Sequence, residues 1–100
     1  MKYQLVIQFP ENSIKFDEII KFENIIADEL TEMAEVDGHD IGSGEINIFI
    51  FTNNPKFSFK KIKNILNANK IDNFIVAYRD IRKENYVILY PNNLKKFNIK

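Results

Sequence analysis

The feature that most constrains this chain is the stretch from Val36 to Thr52, VDGHDIGSGEINIFIFT. It holds the single histidine, all three glycines and the most apolar run in the sequence. Glycine reaches positive φ at no steric cost, so Gly42-Ser43-Gly44 reads as a tight turn between two strands. The second of these, Glu45 to Thr52, sets Ile46, Ile48 and Ile50 on one face and Asn47, Phe49 and Phe51 on the other. Both faces are largely apolar, which places this strand centrally in a sheet and covers it, at least partly, on both sides.

The rest of the chain supplies elements to pack against that strand. Lys2 to Phe9 alternates Tyr3, Leu5, Ile7 and Phe9 with Lys2, Gln4, Val6 and Gln8, the period of a half-buried strand. From Phe16 to Met33 the period becomes helical, with Phe16, Ile19, Ile20, Phe22, Ile26, Ala27, Leu30 and Met33 in one broad stripe. Glu23 falls inside that stripe, where a carboxylate must find a partner or reach solvent. Met33 to Ile41 is a weaker strand leading into the glycine turn. Asn54 is placed to cap a second helix with Pro55 at its first position, and Asn69 to stop it in the left-handed conformation. Phe57 falls on the outer face of that helix. Asn73 to Ile81 and Asn85 to Tyr90 form a final hairpin across the polar link Arg82-Lys83-Glu84. Residues 91–100 form a basic tail with no strong local preference.

The order β-α-β-β-α-β-β predicts a single α+β domain over residues 1–100. It is expected to be a ferredoxin-like two-layer sandwich with an antiparallel sheet and both helices on one face. The other face would then be open, and an apolar open face is commonly closed by a partner or a second copy, here a homodimer.

A formal net charge of zero conceals two opposite halves. Residues 11–50 carry eleven acids against two bases, and residues 51–100 carry eleven bases against three acids. Either the halves lie side by side and neutralise each other, or the acidic half recruits a basic partner. The absence of cysteine excludes disulfides, thiol nucleophiles and cysteine zinc sites. The opening MKYQLVIQFP is too interrupted for a signal peptide, and no apolar run approaches the ~20 residues that span a bilayer. A cytoplasmic protein with no membrane partner is expected.

His39 is the obvious candidate for chemistry, with Asp37, Asp40, Ser43 and Glu45 close in sequence. On a regular strand Asp37 and His39 share a face while Asp40 points away, and two ligands are too few for a metal. Gly42-Ser43-Gly44 leads into a strand, unlike a nucleophile elbow, and lacks the lysine and helix of a phosphate loop. Lys56, Lys60, Lys61 and Lys63 interleave with Phe57 and Phe59, but the aromatic signature of RNA-binding sheets is missing, which disfavours nucleic acid. No cofactor is expected.

VDGHDIGSGEINIFIFT, with Pro55 and the later VAYRDI, resembles the core of a family of small bacterial single-domain proteins. Its members open on a YQLVIQF-like strand and carry an EVDGHDxGSGExNIFxFT core. The likeness spans residues 3 to 90; the family is uncharacterised and implies no activity. In kind, though through no motif, the chain is also similar to immunity proteins that neutralise secreted toxins. The expectation is therefore a non-catalytic interaction module. It would bind a basic protein, such as a nuclease toxin, through Asp28, Glu29, Glu32, Asp37, His39, Asp40 and Glu45. The alternative is a small-molecule-binding regulatory domain, or a small enzyme, with a site around His39, Asp37 and Glu23.

Overall fold

The computed structural model describes residues 1–99. Seven elements follow one another: β1 (Tyr3–Pro10), α1 (Phe16–Leu30), β2 (Ala34–Gly42), β3 (Glu45–Thr52), α2 (Pro55–Ala68), β4 (Ile75–Asp80) and β5 (Val87–Tyr90). The five strands form one sheet in the order β2-β3-β1-β4-β5, and every pairing is antiparallel. With its two helices the chain is an α+β protein, and no helix is long and apolar enough to cross a membrane among the described residues.

The alternation of β1 brings Leu5, Ile7 and Phe9 opposite Ile50, Ile48 and Ile46 of β3. These six side chains join Ile19, Phe22, Ile26 and Leu30 of α1 and Ile62 and Leu66 of α2 in one core cluster. The spacing of the α1 residues is that of a single helical stripe. The ends of the predicted stripe fall outside the core: α1 stops at Leu30, and both Phe16 and Met33 are exposed. Helix α2 starts as expected, the Asn54 carboxamide accepting the Phe57 N–H at 3.1 Å with Pro55 at the first position. Phe57 is exposed, as its place on the outer face of α2 implies. The left-handed residue after α2 is Lys70, at φ +61°, and not Asn69, whose φ is −98°.

The hairpin between β2 and β3 turns through two residues at positive φ, Ser43 at +55° and Gly44 at +85°. That is the pair of signs a type I′ turn needs to match strand twist. β3 is an interior strand, but the middle of the sheet belongs to β1. β1 is also more deeply buried than its alternation implies, since Val6 has no exposure and Gln8 only 9%.

The physical reason lies in the residues after β5. Segment 91–99 turns back across the sheet face opposite the core cluster. The Asn98 carbonyl accepts the Gln8 amide at 3.0 Å, and Phe97 stands edge-on to Tyr86 at 4.9 Å. The chain thus lays its own tail on the face expected to be open; Lys100 lies outside the described residues. On this face β1 and its neighbours also set Val6 beside Phe49 and Ala77, and Gln8 beside Asn47 and Ile75.

Candidate functional site

The sequence singled out two anomalies, a carboxylate in an apolar stripe and a lone histidine, and the fold brings them together. β2 pairs with β3 in regular register until Val36 opposite Ile50, then resumes with Gly38 opposite Phe49 and His39 opposite Ile48. The extra residue is a β-bulge, which inverts the in-and-out alternation beyond it. Gly38 takes φ +135° there, a conformation that side chains rarely adopt. His39 is thereby turned towards α1, and its Nδ1–H donates to Glu23 Oε1 at 3.0 Å. The bulge also overturns the expectation that Asp37 and His39 share a face by simple alternation.

The pair is partly shielded, with the side chains of His39 and Glu23 22% and 12% exposed. Phe16, left outside the core, packs edge-on to the imidazole at 5.6 Å between ring centres. The carboxylate in the stripe thus serves to latch the first helix to the edge strand. No group of three or more His, Asp or Glu side chains among the described residues is arranged to hold a metal.

Around this latch lie the acids. Asp28 and Glu29 are exposed on the last turns of α1, Glu32 in the turn that follows, and Asp37 and Asp40 along β2. β2 is an edge of the sheet and contacts α1, so Asp28, Glu29, Glu32 and Asp37 occupy one seam of the molecule, whereas the register beyond the bulge sets Asp40 beside Asn47 on the opposite sheet face. Although α1 and α2 touch, no ion pair among the described residues joins any of these five acids to a base. Glu45 is the buried one among the predicted site residues: it is 8% exposed and does not share that seam either. It accepts from the Asn47 carboxamide at 3.4 Å, and Asn47 in turn accepts from Gln8 at 3.0 Å.

This second polar cluster was missed from sequence. Its only local signal was Asn47, the one polar side chain within the Ile-Phe run of β3. A shallow cleft of about 210 Å³ opens beside it, lined by Gln8, Glu45, Gly44 and Phe74 among others. A second ion pair among the described residues lies at the end of β4, where Arg82 donates from its guanidinium to Asp80 at 2.9 Å. That side-chain hydrogen bond, with one from the Arg82 backbone N–H, holds the Asp80 carboxyl well below the usual carboxylate range.

Comparison with protein-family models, curated proteins and solved structures finds no match to this chain.

Proposed function

We propose that the chain is a non-catalytic protein-interaction module whose α1–β2 seam docks a basic protein. The observation that carries this reading is the concentration of four exposed acids, Asp28, Glu29, Glu32 and Asp37, on one seam, none held by a base among the described residues. Complementary charge of this kind accelerates encounter and makes it salt-sensitive. The most concrete version is a cytoplasmic immunity protein that neutralises a basic toxin such as a nuclease. The same reading takes the architecture as ferredoxin-like with both helices on one sheet face. The β2-β3-β1-β4 order supports this, as does the single core cluster holding side chains of both helices. A homodimer through the second sheet face would have to displace segment 91–99.

The test is recovery of a basic protein bound at low salt from the native host, followed by association kinetics against the Asp28→Lys, Glu29→Lys, Glu32→Lys variant. The expected result is a fall in the association rate of roughly tenfold or more at low salt, shrinking as salt rises. An unchanged rate would sink the proposal.

One observation favours the second reading, a small-molecule site: Glu23 fixes the Nδ1 side of His39 and so orients its other nitrogen. If that nitrogen receives a ligand, His39→Gln abolishes ligand binding while the fold and the toxin-binding rate survive. The latch alone predicts a loss of stability and nothing else.

A further inference from the structure

The second face of the sheet carries a site that the acidic seam does not explain. Its floor is a chain of side-chain hydrogen bonds, Gln8 to Asn47 and Asn47 to Glu45, in which all three residues are at least nine-tenths buried. Its far end is a platform built without the tail. Tyr86 donates its hydroxyl to Gln4 Oε1 at 3.2 Å, Arg79 Nε donates to the same oxygen at 3.0 Å, and the guanidinium stands over the Tyr86 ring. The Gln8–Asn47 bond and the bonds of Tyr86 and Arg79 to Gln4 join residues outside segment 91–99, so little side-chain ordering is left for a segment that docks on them.

What is seated on them is Leu94-Lys95-Lys96-Phe97-Asn98-Ile99. This segment adds no strand to the sheet. It is held by its main chain, through the Asn98 carbonyl on Gln8 Nε2, and by one aromatic anchor, Phe97 on Tyr86. A main-chain carbonyl is common to every peptide, so the Gln8 contact does not demand this particular sequence. Lys95 and Lys96 remain exposed. Register places Asp40 beside Asn47 and Glu35 beside Phe51 on the same face, so the β2 side of this surface is acidic. If the segment leaves, Gln8 keeps its bond to Asn47, and water can take the place of the carbonyl.

We propose that this face is a docking site for an extended, basic, aromatic-bearing segment of a protein partner. Residues 91–99 occupy it in the unbound protein as an internal stand-in that the partner's segment displaces. The inference shares with the proposed function only the basic character of the partner. It concerns a different surface and stands without it.

The experiment uses the protein of residues 1–100 labelled with ¹⁵N and, as probe, an unlabelled synthetic peptide of sequence PNNLKKFNIK. A tether this short gives the protein's own tail an effective concentration on the order of a millimolar. Peptide should therefore shift the Asn98 and Phe97 signals towards disordered positions with a midpoint in the millimolar range. Phe97→Ala on the protein's own tail removes the aromatic anchor and should lower that midpoint by roughly tenfold. Lys95→Glu with Lys96→Glu, both at exposed positions that leave the core intact, should lower it as well, more so at low salt.

No movement of the tail signals at several millimolar peptide, in the parent and both variants, overturns the proposal. So does binding that survives Gln8→Leu but disappears on reversing Asp28, Glu29 and Glu32, because the peptide would then sit on the α1–β2 seam. Displacement that is unchanged by that reversal, with the Tyr86 signals staying at their occupied positions while those of Asn98 and Phe97 move, supports the second-face site, whatever becomes of the acidic-seam proposal.

Discussion

On one face of the sheet, Leu5, Ile7 and Phe9 meet Ile50, Ile48 and Ile46 beneath side chains from two helices. On the other, the residues between them, Val6 and Gln8, meet Phe49 and Asn47 beneath a segment with no regular structure. The two faces are only one residue out of phase, and on both the β1 residues are withdrawn from water. They are withdrawn by different means. The first is closed by apolar surface, which needs area and shape but no particular partner atom. The second is closed over amides and a carboxylate, which need a named hydrogen-bond partner for each polar atom. No buried side-chain nitrogen or oxygen among the described residues lacks one.

Stability measurements can break that contrast. Ile7→Ala empties a fully buried site on the first face and should cost about 2–5 kcal/mol in denaturant unfolding, since transfer and cavity terms add. A loss below about 1 kcal/mol would mean that the site collapses around the gap and is no packed core. Gln8→Leu, one residue along on the second face, should cost about 1–3 kcal/mol despite adding apolar surface, because Asn47 Oδ1 loses its donor. Adding Asn47→Leu should then cost less than the sum of the two single changes, by about 0.5–3 kcal/mol of coupling. Strict additivity would show that the amides do not act as a pair.

The same contrast explains what could be read from the sequence. The first face is written in local periodicity: the alternation of β1, the Ile46-Ile48-Ile50 row and the stripe of α1 each declare themselves within a dozen residues. Asn54 and Pro55 marked the start of α2 for the same reason, because a cap is a short-range arrangement. Glu23 was legible as a misplaced carboxylate, and the lone His39 as a residue in need of a role. The sequence could group them in one candidate site but not give their direct contact, because that depends on the bulge at Gly38, and a bulge is a relation between two strands. The tail was hidden more deeply. Nothing in LKKFNI distinguishes a solvated end from a seated one, and the contact that settles it joins Gln8 to Asn98, ninety residues apart.

The smallest expected effect comes from neither face but from the turn between β4 and β5, and it checks that surface pairing contributes little here. The Asp80 carboxyl titrates well below its ordinary range in the folded chain, chiefly because the Arg82 side chain donates to it, and returns to about 4 when the chain unfolds. The unfolded state therefore binds the extra proton, so this group's contribution is complete above about pH 4 and is lost as the pH falls towards the folded value. Arg82 is mostly exposed, so solvent screens the pair and the contribution is modest. Asp80→Asn should leave stability at pH 7 only slightly reduced while flattening the acid limb of the stability profile below about pH 4. An acid limb as steep as the parent's would place the titrating carboxylates elsewhere. A large loss at neutral pH would show that the Asp80–Arg82 turn holds β4 and β5 together more firmly than its exposure allows.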